Sequence, residues 1–388
     1  MVIPQCGQTM QRFRLFVESY LTEAKQAVGI QHIEHPSDRT FDGQKAAHHA
    51  LKTLRGVAMG RTPVTRKIDD RMSFLIKKDQ EGRVAVKYKG PGSDYNYSND
   101  DIERQHGAKP YIVRPLRALL AHGQKVLPNR VGEYQGGFMS TPEDRTEKSG
   151  KIGHTPNTIS YSVRKDSPEG KKLAGSKVSM TIHTELKGPK RKATPIESQS
   201  EFGSHADVHL VDHTVSAEQR KVAPGAKKTV LSHVSAAEKL MKDHDYGHLS
   251  GHEAHLRTYV NSTVDSGERP NVEGYKAHLQ KKWQKEIDKV KTEKAKNAKA
   301  SQRDSDIAHV NKNKDAFNRT FDIHHHMQQA TNALARSLNS TAHGGVETKI
   351  GEKKSGGEGF VAKGLKIVDR EEFAKENRAR TALLRAKK

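Results

Sequence analysis

Lys67 and Asp69 stand two positions apart in the run Thr65-Arg66-Lys67-Ile68-Asp69-Asp70-Arg71. A lysine held against a low-dielectric wall loses its proton more readily than one in water, and a neutral amine is a nucleophile. Taken alone, a lysine beside two aspartates is an ordinary surface ion pair, worth little. Two other groups of residues carry chemistry. Lys281, Lys282, Lys285 and Lys289 lie, with Lys291, Lys294 and Lys296, around a thin stripe of Trp283, Ile287 and Val290. Such a run is either a solvated helix face or a surface that neutralises phosphates. Histidines recur at His205, His209 and His213, at His244, His248, His252 and His255, and at His324, His325 and His326. Imidazoles one helical turn apart can bind zinc. Val208, Leu210 and Val211 spoil a helical face in the first set, and no cysteine joins any set. Solvated or nucleic-acid-facing histidines are therefore the expectation.

The elements that must position these residues follow from periodicity. Residues 11–28 carry Phe13, Phe16, Val17, Tyr20, Leu21 and Ala24 at helical steps, and residues 45–57 carry Ala46, Ala50, Leu51, Leu54 and Val57. After Lys67, the apolar run 73–76, a charged turn with Gly82, and the alternating stretch 84–88 read as a β-hairpin. Ser98 or Asn99 can cap a helix that starts near Asp100, and residues 115–122 form another. Strands are expected over 129–139, 154–163 and 177–184. Beyond Gly188 the text turns polar and basic, with helices expected over 240–260, 275–298 and 315–338. Sheet-like text returns at 357–362 and 364–369, and a helix over 371–387 closes the chain.

Composition bounds the function. With 388 residues, two domains are expected. Lys and Arg total 68 against 46 Asp and Glu, a net charge of +22, which favours polyanions. A hydrophobic fraction of 33% and a mean hydropathy of −0.85 leave part of the chain without a core of its own. Cys6 is the one cysteine, which excludes an intramolecular disulfide and a multi-cysteine zinc site. The first residues lack the pattern of a signal peptide, and no apolar run reaches membrane-spanning length. A cytoplasmic protein with no membrane association is expected. Neither a phosphate-loop sequence nor a dinucleotide fingerprint is present, which counts against a P-loop ATPase and a Rossmann oxidoreductase.

The informative pattern is spread out: the Lys67–Asp70 element, the glycine-rich strand over 133–139, the run Glu358-Gly359-Phe360-Val361, and Lys366 eight positions after Glu358. In that order these elements resemble motifs I, III, IV and V of the covalent nucleotidyltransferases, the ATP-dependent DNA and RNA ligases and capping enzymes. The text His32-Ile33-Glu34-His35-Pro36-Ser37-Asp38, with Tyr134-Gln135-Gly136 and Pro156-Asn157-Thr158-Ile159, is also similar to ligase-like proteins of large tailed phages. The resemblance implies that Lys67 attacks the α-phosphate of ATP to form lysyl-AMP. Asp69 matches the motif I acid. Glu358 matches the acid that binds a divalent metal, Mg²⁺, a cation that prefers carboxylate and water. Lys366 matches a lysine that holds the α-phosphate, and Tyr161 is the candidate to stack on adenine. A cytoplasmic location becomes the host cytoplasm for a phage protein.

The sequence departs from that pattern. Asp70 stands where the family has glycine, and Arg71 lies one place before the usual arginine position, which is Met72. No acid occupies Gly136-Gly137-Phe138, where the family's ribose-binding acid belongs, and Glu133 is the nearby substitute; the second motif V lysine is Val368. The fold expected is α+β: an antiparallel-sheet nucleotidyltransferase core, ATP-grasp-like, over 63–190 and 346–388. A helical segment over 1–62 precedes it, and a basic, largely helical insertion over 191–345 grips DNA or RNA. The function expected is polynucleotide ligation with ATP and Mg²⁺. The departures favour an alternative, a catalytically degenerate relative that binds nucleic acid or serves phage assembly. A capping guanylyltransferase is a further rival, distinguished by labelling with GTP.

Overall fold

The computed structural model describes residues 33–341, 346–351 and 353–375. The helix expected over 11–28 lies outside these residues, as does most of the closing helix beyond Lys375. The fold is α+β with predominantly antiparallel sheets. The chain divides into two compact units, the first built on Ile68–Thr214 and Gly344–Gly357, the second on Glu34–Lys67, Val215–His343 and Glu358–Lys388.

In the first unit the expected hairpin forms from Met72–Lys78 and Val84–Tyr88. It joins Gly132–Ser140, Val178–Lys187 and Val208–Leu210 in a six-stranded sheet, with Lys192–Pro195 on the side of Val178–Lys187. Only Val208–Leu210 runs parallel to its neighbour among these pairs. Period-two alternation turns Phe74, Ile76, Val86, Tyr134, Phe138, Met180 and Ile182 to one face, against Ile102, Ile112, Leu116 and Leu119. Those last residues belong to the helices Asn99–His106 and Pro110–His122; Ser98 caps the first with a reciprocal capping box. Each fully buried apolar side chain contributes about 1.5–3 kcal/mol. A five-stranded antiparallel sheet runs Lys353–Lys354, Glu347–Ile350, Ser160–Arg164, Lys151–His154, Arg145–Lys148.

The second unit is mainly helical. The amphipathic helix Gln44–Ala58 lays Ala47, Ala50, Leu51, Leu54 and Val57 on Pro224–Met241 and Lys314–Thr341. A three-stranded sheet, Thr65–Arg66, Phe360–Ala362 and Leu365–Ile367, adds Phe360, Ala362, Leu365 and Ile367 to that core. A second core joins Phe41 to Leu249, Leu256, Val260, Tyr275, Leu279, Val310, Phe317 and Phe321. The helices Glu253–Ser266, Val272–Asp288 and Glu293–Lys312 belong to this unit.

Three expectations differ from the structure. The helix expected over 240–260 is interrupted: it ends at Met241, Asp243 takes φ 59° and Gly251 φ 79°, and a new helix starts at Glu253. The helix expected over 275–298 breaks after Asp288, where Thr292 caps a fresh helix by accepting from the Ala295 amide at 3.3 Å. The compact units do not follow the division 63–190 with 346–388. Glu347–Ile350 does pair with Ser160–Arg164, but Phe360–Ala362 pairs with Thr65–Arg66 and buries its apolar face on helices of the supposed insertion.

Candidate functional site

The small sheet of the second unit brings together residues from the two ends of the chain. Thr65 lies opposite Val361 and Arg66 opposite Phe360, and the Lys67 amide donates to the Gly359 carbonyl at 2.8 Å. Phe360–Ala362 and Leu365–Ile367 are joined through Lys363 and Gly364, whose φ angles of 46° and 74° suit a two-residue turn between twisted strands. Pleating turns Phe360, Ala362, Leu365 and Ile367 to the helices. Val361 and Lys366, paired with one another, face the other way, and Thr65 and Lys67 share that face. Gly359 holds φ 98°, and a Cβ there would strike the Ile367 carbonyl, so only glycine can sit between Glu358 and Phe360.

On this face Lys67 Nζ and Glu358 Oε2 form an ion pair, with side chains 27% and 18% exposed. The pair is within reach of water and is closed against neither wall. The Lys366 amide donates to the Glu34 carbonyl at 2.9 Å, which fixes the strand at the sheet's edge. Burial pushes the Lys366 amine below the ordinary lysine range; Glu34 and Asp38 oppose that shift and Arg370 adds to it.

The second unit also holds a buried polar network that sequence reasoning missed. Asp38 accepts from Arg370 Nη1 at 2.8 Å and lies 3.2 Å from His324 Nε2. Burial would raise the Asp38 carboxyl, but the His324 hydrogen bond and the Arg370 charge hold it far below the usual carboxylate range. Ser37 donates to Gln328 Oε1 at 3.0 Å, and Arg370 also donates to Asn261. The only sequence signal was the polar run His35-Pro36-Ser37-Asp38; its partners lie 286 and 332 residues away.

In the first unit, Asp69 is 5% exposed and fully engaged. Its carboxylate accepts from the Thr158 amide at 2.7 Å, the Ile159 amide at 3.0 Å and the Asn157 side chain at 3.1 Å. Its own amide donates to Tyr161 Oη at 2.8 Å. Asp69 therefore clasps the loop before the Ser160–Arg164 strand. Tyr161 is 9% exposed and packs on His154, so its ring is part of the interior of this unit. Arg71 is tied to Asp144 at 2.7 Å. Glu133 accepts from Tyr95 Oη and from Arg191, which leaves little of it for the ribose role expected of it. Asp70 and Gly137 stand against each other: a Cβ at Gly137 would come within 2.6 Å of Asp70 Oδ2. Ser73 Oγ donates to Asp70 Oδ2 at 2.9 Å.

Residues 30–380 match a protein family described as a family of unknown function, DUF6267. The chain belongs to that family. No curated protein matches it, and no solved structure does. In this DUF6267 chain the expected lysine surface separates into two kinds of residue. Lys282 is half-buried and lies 2.9 Å from His255 Nδ1, and burial lowers its pKa. Lys289 pairs with Glu286 at 2.6 Å. Lys281 and Lys285 are exposed on the same helix.

The histidines work mostly as hydrogen-bonding pieces of the two interiors. His244 Nε2 and His248 Nε2 lie 3.1 and 3.0 Å from Thr320 Oγ1, and His252 Nδ1 lies 2.8 Å from Tyr275 Oη. His209 bridges Ser179 and Glu169, and His213 bridges Gln199 and the Ile196 carbonyl. Among the described residues no three of His, Cys, Asp or Glu are placed to hold a metal ion, and no helix is long and apolar enough to cross a membrane.

Proposed function

We propose that this chain is an ATP-dependent nucleotidyltransferase of the polynucleotide-ligase kind, with Lys67 as its nucleophile and the antiparallel sheets as a nucleotidyltransferase core. The observation that carries the reading is the Lys67–Glu358 ion pair, made by residues 291 apart in sequence, on the same sheet face as Lys366. These are the residues that the motif resemblance orders as I, IV and V. Lys67 Nζ would attack the α-phosphorus of ATP; the new N–P bond forms as the P–O bond to the β-phosphate breaks, and pyrophosphate leaves with the electron pair. AMP then passes to a 5′-phosphate, and a 3′-hydroxyl displaces it to seal the strand.

The ion pair defines what the protein must do first. An amine attacks phosphorus only as the free base, so Lys67 must leave its ion pair with Glu358 and give up a proton to act. Glu358 fits a divalent cation such as Mg²⁺, which commonly takes one or two protein carboxylates and fills its remaining positions with water and phosphate oxygens. Bound there, the ion would offset phosphate charge. Its binding and the lysine's ion pair would draw on the same carboxylate. Lys366 supplies a fixed positive charge toward a phosphate.

The test is incubation with α-labelled ATP and Mg²⁺, followed by denaturing electrophoresis. Wild-type chain should carry the label; Lys67→Ala and Lys67→Arg should not, since a guanidinium stays protonated. Equal labelling of Lys67→Ala would overturn the assignment. A second reading, a non-catalytic nucleic-acid-binding relative, draws on Asp70 and Gly137 standing where the family has glycine and acid. It predicts no labelling of the wild type by ATP.

A further inference from the structure

The open edge of the six-stranded sheet carries a feature that the Lys67 chemistry does not use. Residues around Asn96 extend the sheet beyond Val84–Tyr88: Val86 and Asn96 exchange backbone hydrogen bonds at 3.0 and 2.8 Å. Asn96 is buried, so Tyr95 and Tyr97, one residue to either side, both emerge on the opposite face. Lys77 and Lys87 emerge on that face too, because Ile76 and Val86 between them point into the core. The result is a sheet surface in which tyrosine rings and cations interleave. Lys77 Nζ lies 4.2 Å from the Tyr95 ring centre and 5.2 Å from that of Tyr97. The Arg83 guanidinium lies 5.2 Å from Tyr97, and Lys87 Nζ 5.9 Å from Tyr95.

The two tyrosines differ. Tyr95 is fixed: its hydroxyl donates to Glu133, which also takes the Arg191 guanidinium at 3.1 Å, and burial with the Glu133 hydrogen bond raises its pKa. Tyr97 is 40% exposed, one of the few large aromatic side chains at the surface of the described residues. Of the carboxylates around this face, Glu133 is paired with Arg191, Asp79 and Glu81 with Arg83, and Asp101, which accepts from the Tyr97 amide at 3.2 Å, with Arg104.

We propose that this sheet edge binds single-stranded nucleic acid, with a base stacked on Tyr97 and its flanking phosphates on Lys77 and Lys87. An aromatic ring offered from a sheet face between cations suits an unpaired base, whose π-face is open, and not a duplex, whose bases already cover one another. Tyr95 is the rigid floor that keeps Lys77 and Lys87 raised. The net charge of +22 draws such a strand in. This proposal stands apart from the Lys67 reaction, which needs no nucleic acid for its first step.

The test uses the full-length chain, a fluorescein-labelled oligothymidylate, an abasic strand of equal length, and a duplex competitor, read by fluorescence anisotropy over a salt series. Tyr97→Ala should weaken binding to the thymidylate strand by about tenfold or more, and Tyr97→Phe should keep it. On the abasic strand Tyr97→Ala and wild type should match. Lys77→Ala with Lys87→Ala should lower the salt slope by roughly 0.7 for each lost phosphate contact. Melting temperatures of all variants identify loss of fold, and ATP labelling of Lys67 should be unchanged in each. Wild-type affinity in Tyr97→Ala, equal weakening on thymidylate and abasic strands, or a preference for duplex would each overturn the proposal. Failure here would leave the labelling result standing, and absence of labelling would leave this binding surface standing.

Discussion

The chain passes from one unit to the other at the Lys67–Ile68 peptide, and the carboxylates on either side of that boundary are used in opposite ways. Asp69, in the first unit, is buried and takes two backbone amides and a side-chain amide. Glu358, in the second, is partly exposed and has Lys67 as its ion-pair partner. A carboxylate whose acceptor sites are filled by fixed donors is a structural part, since any chemistry would leave those donors buried and unpaired. A carboxylate matched by one flexible ammonium within reach of water can exchange that partner for another cation at small cost. The motif resemblance implies chemistry for both Asp69 and Glu358; the three donors that fill the Asp69 carboxylate fit a structural part better.

The largest expected effect sharpens this contrast. Glu358→Ala should reduce ATP labelling of Lys67 by about a hundredfold or more, on the scale of losing one preorganised electrostatic contact. Its cost in stability should be modest, because the pair keeps some access to water, with side chains 27% and 18% exposed. Labelling assays and urea unfolding on the same preparation separate the two. Normal labelling in Glu358→Ala would break the comparison from its chemical side.

Asp69→Ala should do the reverse. Of the three donors that lose their acceptor, the Ile159 amide is buried while Thr158 is partly buried and Asn157 exposed, and a buried unpaired donor costs about 1–3 kcal/mol, so a loss of that order is expected in urea unfolding. A stable Asp69→Ala protein that fails to label would return Asp69 to the chemistry. A comparable effect comes from its neighbour. Gly137→Ala forces a Cβ onto Asp70 and should cost about 1–3 kcal/mol. Adding Asp70→Gly should recover most of that cost, and a double-mutant cycle measures the coupling.

These cases show what the sequence could and could not disclose. The hairpin over Met72–Lys78 and Val84–Tyr88, the helix Gln44–Ala58 and the Ser98 cap were legible because alternation, helical periodicity and cap chemistry are local. The meeting of Lys67 with Glu358, 291 residues away, is a contact that the motif resemblance implies and that no local pattern discloses. Asp69's clasp was not, because its donors lie 88 to 90 residues downstream and two of them are backbone groups with no side-chain signature. The engagement of Glu133 by Tyr95 and Arg191 was hidden for the same reason. The interruptions near Asp243 and after Asp288 left local traces, in Gly247 and Gly251 and in the Thr292 cap, but helical periodicity on either side ran over them.

Acid should weaken the first unit through His154. This residue is buried beside Ser140, and burial lowers its pKa from 6.5 to about 3. The folded state therefore holds it neutral where the unfolded chain would protonate it. Its contribution is complete above pH 6.5 and is lost as pH falls from 6.5 toward about 3, with a slope of at most about 1.4 kcal/mol per pH unit. Denaturant unfolding at pH 7 and pH 5 should show a smaller drop for His154→Gln than for wild type. The same drop in both would assign the acid sensitivity to other groups.

The smallest expected effect concerns the lysines of Val272–Asp288, where one helix contains both kinds of behaviour. Lys281 and Lys285 are exposed, whereas Lys282 is half-buried against His255. An ammonium on a flexible stem meets phosphates as a point charge, without reading sequence. Charge reversal at Lys281 and Lys285 should then weaken nucleic-acid binding across all sequences and lower the salt slope by roughly 0.7–0.9 for each lost contact. Lys282→Glu should leave the salt slope almost unchanged and instead lower the melting temperature, because it disturbs a side chain packed beside His255. If Lys282→Glu changed the slope as much as Lys281→Glu, burial would not be what separates bound from available cations here. If neither exposed lysine changed it, this helix would be a solvated face, and the nucleic-acid surface would rest on the sheet edge of the first unit.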